Sequence, residues 1–348
     1  MRIGIITSKA TSLRNVARDI ASVSMMYKHV PRLLDFVEEP TSIGELCDGC
    51  ILIYPASPLY CAPQFLFYRD FKLYVGKPII FYTTIEGRPS RKHIKLWMTR
   101  DVEFIANSKY VFDKLVEAGF NVIDVIPHGI LLNQIRKAEK MIPIVRKHLE
   151  KLHGDKVVFG AVAFYHPRKG LDLLAEATAL LSKKRKDFVV HLITSPQAKK
   201  YLPVLDNLYI DTVFGMRSRE DILAFLGACD YVIIPSLAEG FGLPLLEANA
   251  MGTPCIFPAY EPLIEIGDME NNLIFDYKYI KLMDIGEGIE FEFHIYDPKD
   301  LADQMNYAIY LKRKLEREYK KRCEKVRDVI RKFSAEKVYS KLLKYLSG

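Results

Sequence analysis

Two glutamates in the second half of the chain have a spacing that suits the binding of hydroxyl groups. Glu239 and Glu247 are eight positions apart in the stretch PSLAEGFGLPLLEANAMGTP, which begins at Pro235. The apolar run that ends at Ile234 predicts a strand, and Pro244 occupies a favoured first-turn position of a helix. Glu239 then lies in a loop and Glu247 inside the helix, where their carboxylates can accept hydrogen bonds from two sets of hydroxyls, as a sugar joined to a ribose presents. The glycine-bearing loop and the helix N-terminus also predict an anion site at the C-terminal edge of a sheet.

This stretch resembles the E-x7-E signature of glycosyltransferase family four, whose members are retaining enzymes of the GT-B fold. The resemblance implies that Glu239 lies against the transferred sugar and that Glu247 holds the nucleotide ribose. It also implies that the backbone amides of Phe241, Gly242 and Leu243 reach the sugar and the diphosphate.

Two further stretches are similar to the donor-binding motifs of that family. In FGAVAFYHPRKGLDLL, which begins at Phe159, Lys169 has the position of the lysine that neutralises the donor diphosphate. Many relatives place an arginine directly after the strand glycine, where this chain has small apolar residues, so the resemblance leaves Arg168 as the second cation. The stretch VFGM is similar to the family's base-binding strand, which makes Gly215 and Met216 candidates for donor binding.

The first hundred residues match the family by pattern only. The usual glycine-rich loop after the first strand is replaced by TSKATS at positions 7–12, so the acceptor is not specified. Thr84 and Glu86 follow a strong strand and are candidates for contact with the sugar or acceptor; an exposed loop acid is the alternative for Glu86. His128 is interpreted as a hinge residue, and segment 277–296 is longer than the family's usual spacing and has no assigned function.

The resemblance implies a metal-independent hexosyltransferase without a cofactor. No Asp-x-Asp occurs in the sequence, and protein cations with helix amides would stabilise the leaving diphosphate. The acceptor hydroxyl would attack the face from which the nucleotide diphosphate leaves, with a leaving phosphate oxygen as proton acceptor. The expected partners are therefore a nucleotide-diphosphate sugar and a sugar-containing acceptor, such as a glycan, a lipid or a protein-linked sugar.

The elements that position these residues follow a repeated strand and helix pattern. Runs rich in Val, Ile and Phe alternate with longer helical patterns, which predicts an α/β fold with parallel sheets. Together with the resemblance this indicates a GT-B fold, two Rossmann-like doubly wound domains facing a cleft. Strands are predicted at 2–7, 50–55, 78–83, 102–106, 122–126, 156–163, 187–194, 208–214, 230–235, 254–258 and 272–276.

The predicted domains are an acceptor-side domain at 1–140, a nucleotide-sugar domain at 141–325 and a helical segment at 326–348. Polar and basic residues with apolar positions at helical spacing predict a linker helix at 131–153. An apolar stripe over 311–333 predicts one long helix, and Ser334 could cap a further helix. This C-terminal segment is expected to pack back on the body of the protein.

Charge and composition narrow the function classes. The chain of 348 residues carries a net charge of +7, and residues 311–348 hold 14 Lys or Arg against 5 Asp or Glu. A solvated helix face is the favoured interpretation, with anionic membrane or nucleic-acid binding as the alternative; no nucleic-acid module accompanies the charge. The N-terminal apolar run is too short for a signal sequence, so a cytoplasmic protein is expected, with membrane contact at most peripheral.

Three other interpretations remain open. A nucleotide-sugar epimerase or a non-catalytic sugar-nucleotide-binding relative would share the fold, while an NAD enzyme should show a GxGxxG motif that the first domain lacks. Cys47 and Cys50 form a CxxC that precedes a strand. A turn with two small residues is favoured there over a redox pair or half of a zinc site.

Overall fold

The structure is a computed structural model that describes residues 1–37 and 39–347. The chain forms two compact units. The first unit comprises Met1–Leu131, Leu282–Glu292 and Phe333–Gly348, and the second comprises Leu132–Lys281 and Phe293–Lys332. The ranges expected from the sequence are continuous, whereas each unit collects separate stretches of the chain. Gly348, the last residue of the predicted segment 326–348, lies outside the described residues.

The strands are numbered in chain order. They are β1 (Arg2–Thr7), β2 (Val30–Leu34), β3 (Gly49–Pro55), β4 (Ile79–Thr84), β5 (Gly87–Pro89), β6 (Glu103–Ala106), β7 (Asn121–Val125), β8 (Val157–Val162), β9 (Phe188–Ile193), β10 (Leu208–Asp211), β11 (Tyr231–Ile233), β12 (Cys255–Pro258), β13 (Leu273–Phe275), β14 (Tyr279–Asp284) and β15 (Ile289–Ile295).

The α-helices alternate with these strands through most of the chain. They are α1 (Thr11–Met26), α2 (Pro40–Leu46), α3 (Ala62–Asp70), α4 (Leu96–Arg100), α5 (Lys109–Glu117), α6 (Leu132–Glu139), α7 (Ile142–His153), α8 (Leu171–Ser182), α9 (Ala198–Tyr201), α10 (Arg219–Ala228), α11 (Leu243–Ala250), α12 (Leu263–Ile266), α13 (Pro298–Lys314), α14 (Glu316–Val326), α15 (Val329–Phe333) and α16 (Ala335–Ser347).

The first unit contains a parallel sheet with the order β2-β1-β3-β4-β6-β7. The central strand β3 is buried along nearly its whole length, as expected for a parallel sheet covered by helices on both faces. Helix α16 packs against α1 and buries Val338, Tyr339 and Leu342. The predicted C-terminal helix therefore does pack back, and it packs on the first unit.

The second unit repeats the doubly wound pattern with the order β10-β9-β8-β11-β12-β13. The chain runs from β8 outward to β10 and then returns to the other side of β8 with β11. The loops that follow β8 and β11 consequently leave the sheet in opposite directions and open a crevice at its C-terminal edge. Doubly wound sheets bind their ligands at this switch point.

The predicted strands are all present, and their bounds differ from the prediction by up to three residues. The largest difference is in β10, which ends at Asp211 because the chain turns at Val213, whose carbonyl accepts the Met216 amide at 3.0 Å. Four strands were not predicted: β2, β5, β14 and β15. The edge strand β2 was missed because it contains Pro31 and is largely exposed, so it lacks the buried pattern of the others.

Two helix predictions were wrong in their continuity. The predicted linker helix 131–153 is two helices, because Pro143 lies in the first turn of α7 and cannot continue α6. The predicted long helix over 311–333 is divided into α13, α14 and α15, and Leu315 leaves the helical conformation between the first two. Ser334 does cap the helix that follows it, since its hydroxyl accepts the Lys337 amide at 3.4 Å.

Segment 277–296, which had no predicted structure, contains the strands β14 and β15. Together with β5 they form a small sheet in the order β14-β15-β5, in which β15 and β5 pair in antiparallel fashion. In the first unit, the buried Glu292 of β15 pairs with Arg88 at 2.7 Å and Lys114 at 3.0 Å, and it accepts the Tyr110 hydroxyl at 3.2 Å. The chain crosses into the second unit directly after Glu292.

The basic helices near the C-terminus are amphipathic. Tyr319 and Val326 of α14 are buried, while Lys320 and Lys325 are exposed. Among the described residues, no helix combines the length and the apolar character that a membrane crossing requires.

Candidate functional site

The switch point of the second unit brings two loops into contact. The first is the 3₁₀ turn Pro167–Lys169 after β8, and the second is the signature loop, residues 235–242, between β11 and α11. Gly170 ends the first turn with φ +60°, and a Cβ on it would lie 2.1 Å from the carbonyl oxygen of Pro235. Only glycine allows both that conformation and that approach, so the sequence here fixes the distance between the loops.

Lys169, Arg168 and Glu239 form a charge cluster where the loops meet, in which the carboxylate is buried and the two cations are partly buried. The Lys169 ammonium donates to Oε1 of Glu239, and Nη1 of Arg168 lies 3.7 Å from Oε2. The three side chains are only 14%, 22% and 8% exposed, respectively. Burial by itself would raise the pKa of Glu239, but the two cations outweigh it and hold that pKa below its ordinary value. Glu239 is therefore an ionised carboxylate beside two positive charges at neutral pH.

Backbone hydrogen bonds hold the signature loop against the 3₁₀ turn. The Leu237 and Ala238 amides donate to the Arg168 carbonyl at 2.7 and 3.4 Å. Gly242 adopts φ +98° and is the N-cap residue of α11, which begins at Leu243 with proline in its first turn, as predicted. The first amides of a helix have no partner within the helix and carry partial positive charge, so this end of α11 favours an anion.

Glu247, inside α11, is paired with a residue that sequence reasoning missed. Nη2 of Arg219 lies 3.0 Å from Oε1 of Glu247, and the two side chains are 8% and 12% exposed. Burial raises the pKa of Glu247, and the Arg219 charge opposes that rise only in part. Arg219 is the first residue of α10, where Ser218 and Asp221 form a capping box. The capping box is a sequence signal for the start of α10 shortly after the stretch VFGM, which was predicted as a base-binding strand and is a turn, but it does not reveal the pairing of Arg219 with Glu247.

Gly215 and Met216 lie in the turn that precedes α10. Gly215 has φ +78°, and the side chain of Met216 is exposed. Phe214 contacts Phe164 with 6.0 Å between ring centroids, so aromatic surface flanks the turn. The turn leads directly into α10, which begins with Arg219, the partner of Glu247.

The remaining predicted residues lie in the first unit. Thr84 is the last residue of β4 and is buried, while Glu86 is half-buried in the turn before β5. His128 is buried, with its ring nitrogens 2.8 Å from the Tyr82 hydroxyl and 3.0 Å from the Asn107 side-chain nitrogen. These contacts describe a histidine held in the interior of the first unit.

The CxxC cysteines show the properties of core residues. Cys47 and Cys50 are fully buried free thiols, and burial raises the pKa of both. A reactive thiol needs a lowered pKa and access to solvent, so the redox interpretation is not supported. In the part of the chain that the structure describes, no three His, Cys, Asp or Glu side chains are grouped so as to hold a metal ion.

A sequence profile described as "Glycosyl transferases group 1" matches residues 146–325, which is more than half of the chain and contains every residue of the second-unit site. The chain belongs to this glycosyltransferase family. It is 29% identical to an uncharacterized glycosyltransferase of Sulfolobus islandicus rod-shaped virus 1, over 99% of this chain and 100% of that protein. It is 27% identical to a D-inositol 3-phosphate glycosyltransferase of Saccharomonospora viridis, over 44% of this chain and 38% of that protein.

Solved structures identify the fold of this glycosyltransferase. The Anabaena protein HepE in complex with UDP-glucose matches it with a TM-score of 0.72 at 15% identity, over 100% of this chain and 99% of that chain. The fold is therefore GT-B, with a Rossmann-like parallel sheet in each unit. This confirms the fold class that the sequence predicts.

Proposed function

We propose that this glycosyltransferase transfers a hexose, with retention of anomeric configuration, from a nucleotide-diphosphate sugar to a hydroxyl acceptor, in the manner of family four. The observation that carries the proposal is a pair of charge clusters, each built around a buried carboxylate. One joins Lys169 and Arg168 to Glu239, and the other joins Arg219 to Glu247. Their two carboxylates keep the E-x7-E spacing of family four.

In the proposed donor complex each cluster serves one part of the nucleotide sugar. The diphosphate lies at the N-terminal end of α11, near Lys169 and Arg168, since both the helix end and the cations favour an anion. Glu247 binds the ribose hydroxyls, and the turn at Gly215 and Met216 lies against the base. The solved complex of HepE with UDP-glucose supports a nucleotide sugar as the ligand class.

The proposed reaction exchanges one bond to the anomeric carbon for another. The bond from that carbon to the diphosphate oxygen breaks, and the acceptor oxygen attaches to the same face. The acceptor proton passes to a leaving phosphate oxygen, so the atoms balance without a protein base. Lys169 and Arg168 stabilise the charge that develops on the diphosphate, while the Glu239 carboxylate faces the positive charge that develops on the sugar. We propose that this arrangement works without a metal ion.

The acceptor is proposed only by chemical class. Thr84 and Glu86, in the first unit, remain the candidates for acceptor contact. The relative from Saccharomonospora viridis is described as acting on D-inositol 3-phosphate, which supports a polyhydroxylated acceptor in general. We propose an acceptor that itself contains a sugar or a similar polyol.

The test begins with a thermal-shift panel of nucleotide-diphosphate sugars, because a ligand that binds the folded state raises its midpoint. The stabilising donor is then incubated with candidate acceptors, and NMR of the product gives the anomeric configuration. Retained configuration and full activity in EDTA support the proposal. A product with inverted configuration would contradict the retaining mechanism, and loss of activity in EDTA would contradict metal independence. Isomerisation of the donor sugar without an acceptor would contradict the assignment as a transferase.

A further inference from the structure

The first three backbone carbonyls of the signature loop accept hydrogen bonds from side chains elsewhere in the second unit. The Tyr296 hydroxyl donates to the carbonyl of Pro235 at 2.8 Å, and the Tyr260 hydroxyl donates to that of Ser236 at 2.8 Å. Three consecutive carbonyls are bonded in this way, and the third is that of Leu237. These bonds hold the loop in addition to its amide contacts with the 3₁₀ turn.

His294 holds the third carbonyl with two donors. Its backbone amide lies 2.8 Å from the Leu237 oxygen, and its ring nitrogen Nδ1 lies 3.1 Å from the same oxygen. A carbonyl oxygen can only accept, so Nδ1 of His294 carries a proton. Glu239 follows Leu237 by two residues. The bonds to the Leu237 carbonyl therefore hold the backbone two residues before the Glu239 carboxylate.

The donors support one another by ring packing. The rings of Tyr260 and His294 stack with 4.1 Å between centroids and 5° between planes. Tyr277 meets the His294 ring edge-on, with 4.8 Å between centroids. Tyr260, His294 and Tyr296 are at most 5% exposed. We call these three buried residues the carbonyl brace.

We propose that the carbonyl brace consists of positioning residues, which set the place of the Glu239 carboxylate for glycosyl transfer. The inference rests on the proposed function, because it needs Glu239 to face the transferred sugar. A buried carbonyl that loses its donor is left without a hydrogen bond, which is unfavourable, so the loop shifts to recover a partner when the donor is removed. A shift of the loop backbone moves Glu239 with it.

The brace also gives a function to the long segment 277–296. His294 is the last residue but one of β15, and Tyr296 is the first residue after that strand. Tyr277 precedes β14, so both ends of the hairpin contribute rings to the same group. The segment delivers two of the three donors, which is more than a simple connection to α13 requires.

The test uses the double variant Tyr260→Phe/Tyr296→Phe in the full chain, which removes two donors and keeps both rings. With a donor sugar and acceptor established for the parent, kcat should fall by about ten- to a hundredfold. The KM for the nucleotide-sugar donor and the affinity for free nucleotide diphosphate should be unchanged, since Glu239 is proposed to act on charge that develops on the sugar only in the transition state. Hydrogen exchange at the amides of Leu237 and Ala238 should become faster.

The matched control is Tyr319→Phe. The Tyr319 hydroxyl donates to the carbonyl of Asp230 at 2.8 Å, is buried and lies at the N-terminal end of β11, at the opposite edge of the sheet. The Tyr319→Phe variant should leave both kcat and the hydrogen exchange of the Leu237 and Ala238 amides unchanged. Equal loss of kcat in both variants, or an unchanged kcat in the double variant of an active parent, would overturn the positioning role alone. A parent that transfers from no nucleotide sugar would overturn the proposed function and this inference with it.

Discussion

The ammonium group of Lys169 and the buried carboxylate of Glu239 form an ion pair, although 70 positions separate the two residues. The pair joins the loop after β8 to the loop after β11 at the switch point of the sheet. Because Glu239 is kept ionised by this contact, each partner is charged before a ligand arrives. In the proposed donor complex, the diphosphate would pair with the same lysine, and the attached sugar would lie toward Glu239.

Lys169→Ala should remove most transfer activity and leave the fold intact. A cation that faces developing phosphate charge matters most in the transition state, and the loss of one such contact lowers kcat by about a hundredfold or more. Steady-state turnover at saturating donor, with circular dichroism for the fold, measures this. Lys184→Ala, at an exposed lysine of the same unit, is the control and should be fully active. Unchanged turnover in Lys169→Ala would refute the role.

Gly170→Ala should destabilise the protein more than Gly76→Ala. Both glycines have left-handed conformations, with φ of +60° and +65°, which cost alanine about 1–2 kcal/mol. A Cβ at Gly76 meets nothing within 4 Å, whereas one at Gly170 meets the Pro235 carbonyl at 2.1 Å. Forcing the loops apart should add about 1–3 kcal/mol to the loss in denaturant unfolding. Equal losses would show that the close approach of the loops is unimportant.

Arg219→Met should lower stability strongly at pH 7 and less at pH 5. Removing one partner of a buried ion pair costs about 3–5 kcal/mol, because the other charge is left without compensation. Burial already raises the pKa of Glu247, and loss of Arg219 raises it further. The penalty therefore shrinks as the pH falls and Glu247 becomes protonated. Urea unfolding at the two pH values tests this, and a penalty independent of pH would exclude Glu247 as the affected partner.

The sequence could predict the parts of this site that local pattern encodes. Buried runs rich in Val and Ile predict parallel strands, and the spacing of Glu239 and Glu247 with Lys169 predicts which strand ends bind the ligand. Arg219 could not be assigned in this way, because its pairing with Glu247 depends on how α10 and α11 lie together. The same holds for Tyr260 and for His294, whose positions in the sequence carry no motif.

The errors have a physical pattern as well. The strands β2 and β14 are largely exposed, so they lack the continuous apolar run that marks a buried parallel strand. The apolar stripe over 311–333 gave the correct buried face for Tyr319 and Val326, but periodicity alone does not reveal a break such as that at Leu315. Burial was therefore easier to predict than the limits of the helices.

Stability should fall as the pH drops below about 6.5, because His191 is buried in its neutral form. Burial, followed by the charges of His153, His148 and Arg217, lowers the pKa of His191 from 6.5 to about 3. Between these pH values His191 is protonated in the unfolded chain and neutral in the folded chain. The difference lowers the free energy of unfolding by about 2 kcal/mol at pH 5. Chemical unfolding at pH 7 and 5 measures the loss.

The variant His191→Phe should reduce the loss of unfolding free energy between pH 7 and pH 5 by the amount that His191 contributes. Phenylalanine keeps an aromatic ring among Tyr209 and Phe225, whose centroids lie 4.7 and 5.0 Å from that of His191. The variant also loses the contact with Nε2 of His153, at 3.0 Å, so a change in overall stability at pH 7 does not isolate the effect of the buried charge. The difference between pH 7 and pH 5 is the relevant quantity, and an unchanged difference would assign the effect to other groups.

The two signature glutamates should affect different kinetic constants. Glu247 is proposed to bind the ribose, which is held alike in the ground and transition states, so Glu247→Gln should mainly weaken binding of the donor and of free nucleotide diphosphate. Glu239 is proposed to face the transferred sugar, where charge develops as the glycosidic bond breaks, so Glu239→Gln should mainly lower turnover.

Calorimetry with free nucleotide diphosphate separates these roles, because that ligand has a ribose but no transferred sugar. Its affinity should fall about tenfold or more in Glu247→Gln, since a charged hydrogen bond contributes about 1.5–3 kcal/mol. It should stay nearly constant in Glu239→Gln, because the free ligand lacks the sugar that Glu239 is proposed to face. The opposite result would mean that the two roles are reversed. Equal losses would mean that the signature loop and α11 respond as one structural unit, with the ion pairs to Lys169 and Arg219 serving the fold rather than the ligand.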